Sequence, residues 1–185
     1  MRLFVAINFD GTTVNRLLAL RNILKMRSTE GKFSEPQNMH LTLAFLGECD
    51  DKQALTAKKA VEAMQFEPFD LTVEKMGIFK QNNTNDRSAV GNLWWAGVRP
   101  DAPLLALQKQ LTAKLKEKGF ALEKRKFHPH ITLGREVVTD REPWHFAPFG
   151  ERVEGIDLMK SERVRGRLVY TKVNNFRAYN LTCTK

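Results

Sequence analysis

An α+β fold is what this sequence predicts, on three observations. Helical patterns fall between strand-like runs over the first two thirds of the chain, strand-like runs dominate the last third, and no Gly-x-Gly-x-x-Gly or Walker-type turn marks the crossovers of a doubly wound sheet. With 185 residues there is enough chain for one core, or for two small lobes sharing a cleft, so residues 1–185 are read as a single domain. A composition of 42% hydrophobic and 28% charged residues is that of a chain that folds by itself.

The elements are taken in chain order. Leu3 to Asn8 is an apolar run suited to a buried strand, and Asp10-Gly11-Thr12-Thr13 supplies a turn and cap-type residues. Val14, Leu17, Leu18, Ile23 and Leu24 then recur near helical spacing, with Asn15, Arg16, Arg21 and Asn22 between them, so a helix lays one face on a sheet. Ser28 to Met39 reads as a polar connector. His40 to Gly47 is a second strand, followed by a helix from Asp50-Asp51 to about Met64 whose expected buried positions are Ala54, Leu55, Val61 and Met64.

Phe69 to Phe79 alternates as a strand with Leu71, Val73 and Met76 inward, and the polar run Gln81 to Asp86 reads as a loop or hairpin tip. Leu93 to Val98 is a strand carrying Trp94 and Trp95 on opposite faces. Asp101-Ala102-Pro103 starts a helix that ends at Gly119, with Leu104, Leu107, Leu111 and Leu115 as a core-facing stripe. The tail holds strands at Val153 to Met159 and Leu168 to Val173 around a turn at Arg165-Gly166-Arg167, with a further short strand from Phe176 to Leu181.

Charge and cysteines narrow the setting. Thirty Lys and Arg against 21 Asp and Glu leave a net charge of +9, which favours an anionic partner such as nucleic acid. Two cysteines, Cys49 and Cys183, make no disulfide framework, and no segment approaches the roughly 20 apolar residues of a membrane span. A reducing cytoplasm and no membrane association are expected.

The chemistry lies in a repeated figure. His40-Leu41-Thr42-Leu43 and His130-Ile131-Thr132-Leu133 share the pattern His-x-Thr-Leu, and a chain with four histidines gives little chance of meeting it twice. Alternation along a strand turns the imidazole and hydroxyl to one side and the two apolar residues to a core. Two histidines facing one point can divide acid and base work, and threonine hydroxyls beside them can hold phosphate oxygens. His128 shares the parity of His130 and is assigned an orienting or surface role, and His145 is read as incidental. By strict alternation Arg135 falls on the wrong face, unless Gly134 kinks or bulges the strand and re-aims the guanidinium. Phe45 shares the parity of Leu41 and Leu43 and is expected in the core; Trp94 or Phe45 is also considered as a base-stacking surface. Lys160, Arg163, Arg165 and Arg167, around their turn, are a candidate clasp for a nucleic-acid backbone. A zinc site at His128, His130 and His145 lacks further ligands at suitable spacing, and no Gly-x-Ser-x-Gly turn supports a serine hydrolase.

The segments His40-Leu41-Thr42-Leu43-Ala44-Phe45-Leu46-Gly47 and His128-Pro129-His130-Ile131-Thr132-Leu133-Gly134-Arg135 resemble the paired signatures of the two-histidine (2H) phosphoesterases, and among them the bacterial and archaeal RNA 2′,3′-cyclic phosphodiesterases, also called 2′-5′ RNA ligase-like proteins. The start Met1-Arg2-Leu3-Phe4-Val5-Ala6-Ile7 and the length agree. The resemblance implies a bilobal α+β fold with two pseudo-symmetric lobes, two antiparallel sheets flanking a central cleft and helices outside. It implies metal-independent opening of a terminal 2′,3′-cyclic phosphate to a 2′-phosphomonoester, with no cofactor, on cyclic-ended RNA or cyclic nucleotides. His130 would be the base that activates water, His40 the acid that protonates the departing 3′ oxygen, and Thr42, Thr132 and Arg135 the phosphate ligands. The alternatives are a 2′-5′ RNA ligase and a non-catalytic basic RNA-binding module.

Overall fold

The computed structural model describes residues 1–80 and 91–178, so the loop expected at Gln81 to Asp86 lies outside the described residues. Strand β1 (Arg2–Asn8) leads into helix α1 (Gly11–Met26), strand β2 (Ser28–Phe33), a 3₁₀ turn at Pro36–Asn38 and strand β3 (His40–Glu48). Helix α2 (Asp51–Glu62), strands β4 (Phe69–Phe79) and β5 (Asn92–Val98) and helix α3 (Ala102–Glu117) follow. Strands β6 (His130–Thr139), β7 (His145–Val153), β8 (Gly155–Val164) and β9 (Arg167–Arg177) complete the described chain.

Two antiparallel sheets result, one ordered β3-β1-β8-β9 and the other β2-β6-β5-β4-β7. The helices lie outside them: α1 packs on β2, β6 and β7, α2 on β8 and β9, and α3 on β3, β4 and α2. This is a bilobal α+β architecture with a central cleft, and β3 and β6, the strands that begin at His40 and His130, come together at it.

Local chemistry accounts for the helix starts. The Asp10 carboxylate accepts from the Thr13 backbone N–H at 2.7 Å, and Asp50 and Gln53 satisfy one another's backbone N–H groups in a reciprocal box at the start of α2. The leucine stripe of α3 is buried at all four expected positions. In β4, Leu71, Val73 and Met76 are buried; the change of spacing from two to three reflects a register shift after Val73.

Several expectations are corrected. Ser28 to Met39 is no plain connector. It contains β2, an edge strand paired only with β6, in which Thr29 to Lys32 are exposed on both faces, so that no apolar alternation is present. Leu55 is 53% exposed, because the buried side of α2 runs through Ala57, Ala60 and Val61 and Leu55 stands about 100° round the helix from the partly buried Ala54. The expected strand Val153 to Met159 is the end of β7 and the start of β8, separated at Glu154. Gly155 permits the tight passage there, since a Cβ on it would fall 2.6 Å from the Phe176 carbonyl oxygen. Phe176 begins no new strand but continues β9, and Leu181 lies outside the described residues. His145 opens β7 opposite Lys75.

Candidate active site

Both His-x-Thr figures open a strand at the cleft, and in both the expected alternation holds for the first four residues. Leu41, Leu43, Ile131 and Leu133 are buried in the core, while His40, Thr42, His130 and Thr132 are partly exposed and line the cleft. The two imidazoles are held alike. His40 Nδ1–H donates to the Asn38 carbonyl at 2.8 Å, and His130 Nδ1–H donates to the His128 carbonyl at 2.7 Å. A carbonyl can only accept, so each neutral ring carries its proton on Nδ1 and keeps Nε2 as a lone pair. For His40 that lone pair accepts from the Thr42 hydroxyl at 3.0 Å. His128 thus contributes its backbone carbonyl as an orienting group for His130.

Burial depresses both histidines. It pushes His40 down to about 4, against the pull of the Asn38 carbonyl and with the positive charges of Arg135 and His130 adding to the depression. His130 also lies below the ordinary imidazole range, chiefly through burial, opposed by the His128 carbonyl and reinforced by the charges of His128 and Arg135. The free site therefore holds two neutral imidazoles near pH 7.

Beyond the threonines both strands depart from simple alternation at the same place. Val5 pairs with Ala44 and Ala6 with Thr42, so Leu43 is an extra residue; Trp94 pairs with Gly134 and Trp95 with Thr132, so Leu133 is its counterpart. Each is a bulge, and the carbonyl of each extra residue is satisfied: Leu43 accepts from Gln108 Nε2 at 3.4 Å, and Leu133 from the Ser34 backbone N–H at 2.9 Å. The bulge reverses the facing of the residues after it. Arg135 turns into the cleft, where it lines the wall and its charge is felt by both histidines. By the same displacement Phe45, expected in the core, emerges on the cleft side 42% exposed, stacked 6.0 Å from Phe4 at 8° with the Arg2 guanidinium 4.9 Å above its ring.

Aromatic walls support each histidine. His40 sits 4.9 Å from the Phe4 ring and 5.0 Å, edge-on, from Tyr170. His130 stands edge-on to Phe79 at 5.0 Å and tilted to Trp95 at 6.2 Å, and His128 contacts the same two rings at 5.3 and 4.9 Å. Trp94, on the other face of β5, is buried and lies tilted against Trp144, so it is core and not a stacking surface. His145 does not line the cleft. Among the described residues no three of His, Cys, Asp and Glu gather as a metal site. Sequence reading missed Asn38, Tyr170, Phe4 and Phe79. The last three come from strands distant in sequence, and only the cross-strand registers bring them to the histidines.

Two glycines seat the Trp95 indole. A Cβ at Gly77, opposite Trp95 on β4, would fall 2.1 Å from its ring, and one at Gly97 would fall 2.9 Å from it. Gly77→Ala is expected to force the indole toward His128 and His130. The overpacking should lower stability by about 1–3 kcal/mol, read as a lower urea midpoint. An unchanged midpoint would show that the ring has room to move.

Paired histidines and threonines on the facing strands of two sheets define a two-histidine phosphoesterase. The chain belongs to the LigT-like phosphoesterase family, whose model matches residues 9–90 and 98–170. It is 34% identical over 137 residues to the RNA 2′,3′-cyclic phosphodiesterase of Archaeoglobus fulgidus, covering 73% of this chain and 72% of that one. It is 30% identical to the protein of the same name from Thermotoga maritima, covering 100% of this chain and 88% of the relative. Among solved structures it resembles TT0787 of Thermus thermophilus, with a TM-score of 0.80 at 26% identity over 96% of this chain and 97% of that one. Escherichia coli LigT complexed with 3′-AMP is similar at a TM-score of 0.78 and 27% identity, again covering 96% and 97%.

Proposed function

We propose that this chain hydrolyses 2′,3′-cyclic phosphate ends of RNA, or cyclic nucleotides, to 2′-phosphomonoesters by paired histidine acid–base catalysis. The observation that carries the proposal is the matched setting of the two imidazoles. Each is locked through Nδ1 to the carbonyl two residues earlier, and Nε2 is left for chemistry in one cleft that also holds two threonines and an arginine. The relatives' names and the 3′-AMP complex agree with a phosphoryl ligand.

The steps use this chain's own groups. A cyclic phosphodiester brings one negative charge between His40, His130 and Arg135, and that charge raises the affinity of an imidazole for a proton. His40 takes one up on Nε2, and the Thr42 hydroxyl, no longer accepted there, turns to a non-bridging phosphate oxygen. Thr132 and Arg135 bind the remaining phosphate oxygens, with bonds that strengthen as charge builds in the transition state. His130 Nε2 removes a proton from water as its oxygen attacks phosphorus, the bond from phosphorus to the 3′ oxygen breaks, and His40 gives its proton to that oxygen. The product is a 2′-phosphate beside a free 3′ hydroxyl, and proton exchange between the histidines and solvent resets the site.

Purified protein given a 2′,3′-cyclic nucleotide in the presence of a chelator should release the 2′-phosphate, identified by chromatography against both monophosphate isomers. A 3′-phosphate product, or activity lost with chelator and restored by zinc, would overturn the reading.

A further inference from the structure

The cleft encloses about 1350 Å³, above the roughly 300–1,000 Å³ of a site built for one small molecule. Its wall extends from the histidines along the β8–β9 hairpin: Tyr170 contacts His40, then Leu168, Arg163, Arg167 and Gly166 continue the lining toward the turn. At about 3.3 Å per residue along β9, the Arg167 backbone stands roughly 10 Å beyond that of Tyr170, and Arg165 lies in the turn next to it. Arg163 and Arg167 line the cleft on the hairpin side, past Tyr170 and toward the turn.

The cations of this hairpin divide into two groups. Toward its base, Lys160 is paired with Glu162 at 2.6 Å, Lys172 with Asp157 at 2.9 Å and Arg177 with Glu154 at 3.7 Å. Toward its tip, Arg163, Arg165 and Arg167 have no carboxylate partner among the described residues. Arg165 is also one of two non-glycine residues with positive φ among the described residues, at 50°, followed by Gly166 at 78°. A two-residue turn with both central residues left-handed favours Asn-Gly or Asp-Gly, so the arginine is held against its backbone preference and adds only its charge. The arm is fastened to the site close to its tip, since Asn38 Nδ2 donates at 2.9 Å to the carbonyl of Leu168, the residue paired with Arg163, while the Asn38 carbonyl orients His40.

We propose that the β8–β9 hairpin is an arm that grips the phosphate backbone of RNA on the 5′ side of the reacting end, which makes a cyclic-ended oligonucleotide a better substrate than a cyclic mononucleotide. This rests on the phosphodiesterase reading above. An RNA ending in a 2′,3′-cyclic phosphate continues only in the 5′ direction, so a row of unpaired arginines leading away from the histidines meets the next phosphates. The contacts are electrostatic and independent of sequence.

The test compares wild type with the double variant Arg165→Asn, Arg167→Gln on a cyclic mononucleotide and on a cyclic-ended oligonucleotide. For the oligonucleotide kcat/KM should fall by about tenfold, the loss expected of charge-assisted contacts. For the mononucleotide it should stay within about twofold. The melting temperature should hold or rise, since asparagine suits the turn better than arginine. The salt dependence of oligonucleotide binding, followed by fluorescence anisotropy, should flatten by about 1.4 in log–log slope, 0.7 for each of two phosphates released. An equal fall on both substrates, or an unchanged slope and turnover, would overturn the proposal. If wild type hydrolyses neither substrate, the phosphodiesterase reading fails, and the slope alone decides the arm: flattened it stands, unchanged it falls.

Discussion

Replacing His130 or His40 by alanine is expected to reduce kcat on a 2′,3′-cyclic nucleotide by about 10²- to 10⁴-fold each, equivalent to roughly 3–5 kcal/mol of barrier. The double variant should be little worse than the poorer single one, because an acid and a base serving one step act as a unit. The pH profile separates this from mere damage. In the free protein His40 is pushed down to about 4 and His130 lies below its ordinary range, so kcat/KM should be bell-shaped with both limbs at or below about 6.5. Substrate phosphate raises both groups, so the limbs of kcat should lie at higher pH than those of kcat/KM, and each single variant should lose one limb. Stability supplies an independent reading. A histidine whose folded value is depressed stabilises the neutral protein above its unfolded value, and that contribution is lost as pH falls from about 6.5 through about 4. His40→Ala should flatten this part of the urea midpoint against pH. Near-wild-type turnover in either variant would remove that residue from catalysis.

What could be read from the sequence was what alternation decides. Within His-x-Thr-Leu the side-chain period of a strand holds, so His40, Thr42, His130 and Thr132 were separated correctly from Leu41, Leu43, Ile131 and Leu133. The next residues escaped because a bulge depends on the register of the neighbouring strand as well as on the strand itself. Gly134 is a local hint in β6, where a Cβ would fall 2.7 Å from the Val137 side chain, and the facing of Arg135 depends on it. The matching bulge in β3 has no glycine; Ala44 stands there, so nothing local signals that Phe45 faces the cleft instead of the core. Edge strand β2 was lost for a different reason. One-sided pairing at the surface needs no apolar face, so Ser28 to Phe33 leaves no period to find. The aromatic walls were invisible in principle, since Phe4, Phe79, Trp95 and Tyr170 belong to four strands and meet the histidines only through sheet order.

Arg135→Ala is expected to lower kcat/KM by about 10²- to 10³-fold, the range for removing one preorganised donor to developing charge. Arg135→Lys should recover only part, because an ammonium offers a point charge where a guanidinium offers two parallel donors to a phosphate. The variant should also change the histidines themselves. Arg135 is among the charges that hold both His40 and His130 down, so its removal favours the imidazolium forms and should move both limbs of the kcat/KM profile to higher pH. NMR titration of the imidazole resonances in free protein should show the same upward displacement. A lost structural contact would slow turnover without shifting those titrations, whereas a guanidinium delivered into the cleft by the Leu133 bulge must do both. If Arg135→Ala leaves the titrations and turnover at wild-type values, the bulge does not serve the reacting phosphate, and the phosphate must be held by the threonines and histidines alone.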